Sequence, residues 1–173
     1  MCKVYISLGS NINSKIEYLH RCLFMINEID DIEIVNQSNI YETSPMYYLE
    51  QDNFLNMVIE LYTPIKEDVL LDIFKDIECE IGRENKNDNK PRKIDIDILD
   101  YNQIIINTNK LILPHPKISE RLFVLKPWND IAPDFILPNQ EKTINDLMLL
   151  LDSNNNFVKF YFGNNEKNIS YSN

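Results

Sequence analysis

An α+β domain whose elements run β-α-β-β-α-β follows from three features of the sequence. Apolar and polar residues alternate in three stretches, 3–8, 53–62 and 94–101, the period of strands with distinct faces. Two other stretches, 14–29 and 66–81, repeat apolar residues every three or four positions, the period of helices with one buried stripe. Between the first helix and the second alternating stretch lies a segment rich in Ile, Val and Tyr, which supplies the remaining strand, second in chain order. This succession is the split βαβ order of ferredoxin-like domains, with further α/β elements expected after residue 101.

In the first strand Val4, Ile6 and Leu8 alternate with Tyr5 and Ser7, and Gly9-Ser10-Asn11 reads as the turn that ends it. Ser14 and Glu17 have capping-box spacing ahead of an apolar stripe of Ile16, Leu19, Leu23, Ile26 and Ile29. Residues 32–42 read as the second strand, and 43–52, with Ser44-Pro45, as a loop. In the third strand Leu55, Met57, Ile59 and Leu61 share one face, while Phe54, Asn56 and Val58 share the other. A helix over 66–81 carries Leu70, Phe74, Ile77 and Ile81 on one stripe and ends on Gly82.

The polar stretch 83–93 reads as a mobile loop leading into a fourth strand, 94–101. There Ile94, Ile96 and Ile98 oppose Asp95 and Asp97. Beyond it come a strand-like Ile104-Ile105-Ile106, a turn at Pro114-His115-Pro116 and a short helix near 118–125. A helix capped by Thr143 runs through Leu151, and a last strand spans 157–162. Residues 1–163 are expected to form a single three-layer domain, and 164–173 a polar tail.

Composition narrows the function. The 173 residues suffice for one domain with one core. Acidic residues outnumber basic ones 27 to 17, a formal charge of −10, which argues against a nucleic-acid partner. No apolar run approaches the ~20 residues of a membrane-spanning helix, and no apolar signal core follows Met1. Cys2, Cys22 and Cys79 match no zinc spacing and read as reduced thiols in a cytoplasmic protein, and a monomer is expected.

Three constellations carry chemistry. Arg92-Lys93-Ile94-Asp95-Ile96-Asp97-Ile98 places two carboxylates on one strand face, roughly 7 Å apart. That pair suits Mg²⁺, which takes one or two protein oxygens and completes its shell with water and phosphate, and Arg92 could grip phosphate beside it. On the pattern alone a plainer reading leads, a strand with a polar outer face. Phe54 and Asn56 offer a ring and an amide that suit the edge of a flat heterocycle; alone, the ring reads as packing under a loop. His115, between two prolines and followed by Arg121 and Phe123, reads either as a structural turn residue or as a phosphate donor.

Taken together, and over residues 3 to about 138, these pieces resemble the 6-hydroxymethyl-7,8-dihydropterin pyrophosphokinase family. The match includes Gly9-Ser10-Asn11, Tyr41-x-Thr43-x-Pro45, Phe54-Leu55-Asn56 and Glu78-x-x-x-Gly82-Arg83. It continues through Pro91-Arg92-x-Ile94-Asp95-Ile96-Asp97-Ile98, Leu113-Pro114-His115-Pro116, Arg121-x-Phe123-Val124-Leu125 and Ile131-Ala132-Pro133.

The resemblance implies transfer of pyrophosphate from ATP to the pterin hydroxymethyl group in folate biosynthesis, with AMP leaving. It implies two Mg²⁺ on Asp95 and Asp97, and a catalytic set that adds Arg83 and Arg92. The pterin is expected between Phe54 and Phe123, its edge on Asn56, Thr43 and the backbone near Met46. ATP contacts map to Glu78, Arg83, Arg92, Ile98, Lys110, Leu111, His115 and Arg121.

Where the family commonly has two arginines and a tryptophan in the loop before Arg92, this chain has Asn85, Asp88 and Asn89, and Ser44 stands where the family usually has proline. A looser closure over the substrates is expected, with Lys86 or Lys90 compensating in part as point charges. Two other readings stay open on the sequence. One is a ligand-binding module without turnover; the other is a Mg²⁺-dependent nucleotidyltransferase, which would release pyrophosphate instead of AMP.

Overall fold

The computed structural model describes residues 1–46, 50–82, 90–138, 140–152 and 158–162. In chain order the elements are β1 (Cys2–Ser10), α1 (Lys15–Asn27), β2 (Glu33–Gln37), β3 (Ile40–Thr43), β4 (Phe54–Thr63) and α2 (Glu67–Ile81). They continue with β5 (Asp95–Tyr101), β6 (Ile106–Asn107), β7 (Ile112–Leu113), α3 (Leu122–Ile131), α4 (Ile144–Asp152) and β8 (Val158–Phe162).

The sheet runs β5-β1-β4-β3-β8, with β2 also pairing β4, and every pairing is antiparallel. Its first four positions are the ferredoxin-like core foreseen from the sequence, with β2 and β3 as one interrupted strand. Val4, Ile6 and Leu8 of β1 meet Met57, Ile59 and Leu61 of β4 and Ile96 and Ile98 of β5 under α1 and α2. On the opposite face Tyr5, Val58 and Leu99 meet Val124, Leu125 and Trp128 of α3 and Leu147 of α4. Helices thus cover both faces, giving three layers, and the C-terminal elements build the second helical layer.

Several boundaries differ from the sequence reading, each for a physical reason. β1 runs through Gly9 and Ser10 instead of ending before them, because both stay in register with Asn56 and Leu55. Ser14 does not form the expected capping box. Its φ of 68° is left-handed and its side chain makes no cap bond, whereas a capping serine needs an extended backbone. Ile104 and Ile105 lie outside a strand; only Ile106 and Asn107 pair, with Leu113 and Ile112.

The strand expected over 32–42 is interrupted at Ser38 and Asn39. Ser38 keeps the ladder closed there by accepting on its hydroxyl from Val58 N–H (2.9 Å), while its own N–H donates to the Val58 carbonyl (2.9 Å). The helix near 118–125 divides into a 3₁₀ turn, Ile118–Glu120, and α3, which continues past Pro127. Trp128 is fully buried on Tyr5 at 5.1 Å between ring centroids, and burial of that size outweighs one missing helical hydrogen bond.

Gly82 ends α2 at a φ of 102°, the left-handed cap expected of it. Thr143 caps α4 reciprocally: its hydroxyl accepts from Asp146 N–H at 3.0 Å, and the Asp146 carboxylate accepts from Thr143 N–H at 3.1 Å. The tail predicted for 164–173 lies outside the described residues.

Candidate functional site

The site grows from three neighbouring strands, β5, β1 and β4, on the face opposite α1 and α2. Gly9 pairs with Asn56 on one side and Asp95 on the other, and Ser7 with Asp97. A row therefore runs Asn56, Gly9, Asp95 across β4, β1 and β5. The smallest side chains lie in the middle strand, so the floor is low between the amide and the carboxylate. The cleft above it encloses about 610 Å³ of empty space, part of it open to solvent.

Nine residues expected at the site line this cleft together: Thr43, Met46, Phe54, Asn56, Arg92, Asp95, Asp97, Arg121 and Phe123. One half is cationic and anionic in pairs. Arg92 Nη2 lies 2.9 Å from Asp95 Oδ2, and Arg121 Nη1 lies 3.1 Å from Asp97 Oδ2. Each guanidinium also covers a ring, Arg92 over Phe54 at 5.3 Å and Arg121 over Phe123 at 5.5 Å. Asp95 and Asp97 keep 20% and 30% of their side chains exposed, enough to receive a ligand. The other half holds Asn56, whose Nδ2 donates to the Thr43 hydroxyl at 2.7 Å with both side chains buried. That bond fixes which edge of the amide faces the cleft.

Burial alone would push the Asp97 carboxyl up, but His115, Arg121 and Lys75 outweigh it and hold the group below the usual carboxylate range. Burial lowers the His115 imidazole, helped by Arg121 and Lys117 and opposed by Asp97. Its Nδ1 accepts from Lys117 N–H at 3.2 Å, and its Nε2 lies 3.4 Å from Arg121 Nη1. His115 N–H in turn donates to the Leu99 carbonyl at 2.9 Å, tying this turn to β5. His115 thus stands beside Arg121, the partner of Asp97. Arg121 Nε is buried with no hydrogen-bond partner among the described residues, as befits a group that receives an anion.

Four expected ATP contacts are not brought into the cleft. Glu78 is buried behind β5, where its Oε1 accepts from Ile96 N–H at 2.7 Å and its carboxylate pairs with Lys75 at 2.9 Å. It holds the backbone between the two aspartates. The Ile98 side chain lies in the core beneath α1 and α2. Lys110 pairs with Asp72 of α2 at 2.7 Å, and Leu111 packs against the same core. Arg83, like Asn85, Lys86, Asp88 and Asn89, lies outside the described residues.

Sequence reasoning gave no role to Ser7, Gly9, Pro45 or Gln51, all of which line the cleft. Ser7 and Gly9 carried a usable signal, since they alternate with Ile6 and Leu8 and so face the same way as the site. Among the described residues no group of three or more His, Cys, Asp or Glu could hold a metal, and no helix is long and apolar enough to cross a membrane.

Comparison with known proteins bears on this geometry. A family model described as 7,8-dihydro-6-hydroxymethylpterin-pyrophosphokinase matches residues 5–133. The chain is 41% identical over 157 residues to a Dictyostelium discoideum folic acid synthesis protein, covering 88% of this chain and 23% of that one. It is 42% identical over 135 residues to a Pneumocystis carinii folic acid synthesis protein, covering 78% of this chain but only 18% of that one. A Bacillus subtilis 2-amino-4-hydroxy-6-hydroxymethyldihydropteridine pyrophosphokinase is 41% identical over 128 residues, 74% of this chain and 77% of its own.

The chain thus spans less than a quarter of the first two relatives and most of the third. A Plasmodium falciparum HPPK-DHPS crystal structure with pterin and p-hydrobenzoate shares the fold at a TM-score of 0.70. It is 17% identical, over 88% of this chain and 44% of that one.

Proposed function

The chain belongs to the 7,8-dihydro-6-hydroxymethylpterin-pyrophosphokinase family, and on that premise we propose that it transfers pyrophosphate from ATP to 6-hydroxymethyl-7,8-dihydropterin. The observation that carries the reading is the contiguity of the two half-sites. A charged half built on Asp95, Asp97, Arg92 and Arg121 adjoins a ring-and-amide half built on Phe54, Phe123 and Asn56 in one cleft. The hydroxymethyl oxygen attacks the β-phosphorus and gives up its proton to solvent, the bond from that phosphorus to the α,β-bridging oxygen breaks, and AMP leaves with that oxygen.

The residues suit their proposed tasks. Phe54 and Phe123 offer faces to a flat pterin, and Asn56, held by Thr43, offers its edge a fixed donor and acceptor set; backbone near Met46 completes that side. Arg92 and Arg121 would release their carboxylates to grip phosphate oxygens, and His115 would donate a further hydrogen bond to phosphate. Arg83 is proposed to join them. Glu78, Ile98, Lys110 and Leu111 are proposed to meet the nucleoside end of ATP near edge strand β5, Ile98 through its backbone only.

Asp95 and Asp97 fit a hard divalent cation, being two partly exposed carboxylates that leave the rest of its shell to water and phosphate. Two Mg²⁺ are proposed there. When bound, they would neutralise the charge that builds on the phosphate oxygens. Positioning and electrostatics then supply most of the acceleration, and no nucleophilic side chain is required. A monomer acting in the cytoplasm completes the proposal, its location supported by three free thiols.

The test incubates purified protein with the pterin and MgATP and separates the nucleotides by chromatography. AMP formed only in the presence of pterin is the expected result. Release of inorganic pyrophosphate, or consumption of ATP regardless of pterin, would overturn the reading.

A further inference from the structure

Asn11 has been given no role above, yet its side chain is 2% exposed and its amide is used at both ends. Its Oδ1 accepts from Arg92 N–H at 2.7 Å. Its Nδ2 donates to Gln51 Oε1 at 2.9 Å and to the Asp52 carbonyl at 3.3 Å. The Asn11 N–H adds a bond to the Arg92 carbonyl at 3.2 Å. One buried amide just after β1 therefore joins two segments that are remote from each other in sequence.

Those segments border different halves of the cleft. Arg92 carries the guanidinium that pairs with Asp95, on the charged side. The segment before β4 contributes Pro45, Met46 and Gln51 to the side of Phe54 and Asn56, and its end is pinned by Lys15, whose Nζ donates to the Asn53 carbonyl at 2.6 Å. If either segment shifts when its ligand binds, the amide must move with it or leave a buried polar group unpaired. The other segment is held by the same amide, so it is drawn into the same arrangement.

We propose that Asn11 is a positioning residue that couples the two half-sites, so that nucleotide bound on the Arg92 side orders the Gln51 side for the pterin, and the reverse by linkage. The inference rests on the reading of the cleft as holding ATP and pterin together. Asn11 contacts neither reacting atom; it acts through Arg92 and Gln51.

The two arms can be separated chemically. Asn11→Asp keeps an acceptor for Arg92 N–H but replaces the donor with an oxygen facing Gln51 Oε1 and the Asp52 carbonyl. Calorimetry would give the pterin Kd alone and in the presence of Mg²⁺ with a non-hydrolysable α,β-methylene ATP analogue. The ratio of the two is the coupling, and any direct loss of pterin affinity cancels from it. The wild type should show tightening by the nucleotide, and N11D should reduce that factor at least about five-fold, the lower end of ordinary coupling energies. Its two binary Kd values should stay within about three-fold of wild type.

Gln51→Ala should lower the same factor and carries the test if N11D does not fold. Unchanged factors in both variants, no tightening in the wild type, or equal weakening of binary and ternary binding would each overturn the inference. A wild type that forms AMP but lacks coupling removes only this proposal; a wild type that binds neither ligand removes the functional reading as well.

Discussion

Gly9→Ala tests the site at its floor. A Cβ at Gly9 would lie 2.8 Å from Asn56 Oδ1, and its next contacts, at 3.9 Å, are Asn56 Cγ and Phe54 Cδ1. Carbon and carbonyl oxygen ordinarily rest at roughly 3.3 Å or more, so the amide must retreat by about half an ångström. It is not free to do so, because its Nδ2 is committed to Thr43 at 2.7 Å inside the protein. Stretching or breaking that bond costs about 1–3 kcal/mol, the penalty of an unsatisfied buried polar group, and a shift of a few degrees in Tm for a chain of this size.

All three nearest atoms belong to the ring-and-amide half, so the perturbation is one-sided. The pterin KM should rise about ten-fold, which corresponds to about 1.4 kcal/mol, while the KM for MgATP changes less than about two-fold. The assay is the AMP-release measurement with each substrate varied in turn. A folded Gly9→Ala enzyme with an unchanged pterin KM, or with equal losses for both substrates, would refute the geometric reasoning.

Asp95→Ala and Asp97→Ala should each lower kcat by about 10³-fold or more while Tm moves only a few degrees, since both carboxylates project into the cleft instead of the core. Chelation with EDTA should abolish AMP formation and added Mg²⁺ restore it, measured in the same assay. Thr143→Ala should cost about 1 kcal/mol in urea unfolding through loss of the α4 cap. The Asp146 carboxyl is held below its ordinary value by its bonds to Thr143. Its stabilising share is therefore present above the unfolded carboxylate range and lost as pH falls through the folded value, a pH dependence that Asp146→Asn should erase. Asn85→Arg combined with Asn89→Trp should lower both Michaelis constants, and unchanged constants would dismiss looser loop closure.

Much of the site was legible because strands have period two. Once Ile94, Ile96 and Ile98 are assigned to the core, Asp95 and Asp97 must share the opposite face, and the same argument places Phe54 with Asn56. What could not be read is what depends on a neighbour remote in sequence. Glu78 looks like any carboxylate on a helix; its bond to Ile96 N–H, 18 residues away, is invisible until α2 packs on β5. The break at Ser38 and Asn39 is stabilised by Asp130, which accepts from Asn39 N–H at 3.0 Å and Tyr41 Oη–H at 2.9 Å. Ser14 failed differently, since the spacing of a capping box specifies side chains and not the backbone angle they require.

The middle strand decides how the two half-sites meet. The aspartates and the amide come from β5 and β4, which do not touch; β1 separates them. Neighbouring strands lie about 4.8 Å apart, so a large residue on the cleft face of β1 would wall the charged half of the cleft from the ring-and-amide half. Ser7 and Gly9 occupy that face, and Ser7 is 6% exposed, leaving the surface between them low. On the proposed reading, an oxygen presented from the Asn56 side would approach a phosphorus held on the Asp95 side across about two strand spacings, over a floor of small β1 residues. The same small residues would be unremarkable in a strand that merely spans a core, and Tyr5, two positions before Ser7, shows the contrast. There the face is closed by packing on Trp128 and Phe135 at 5.1 and 5.0 Å. One face of one strand thus changes from core to cleft between Tyr5 and Ser7, and that change sets where the two halves of the cleft meet.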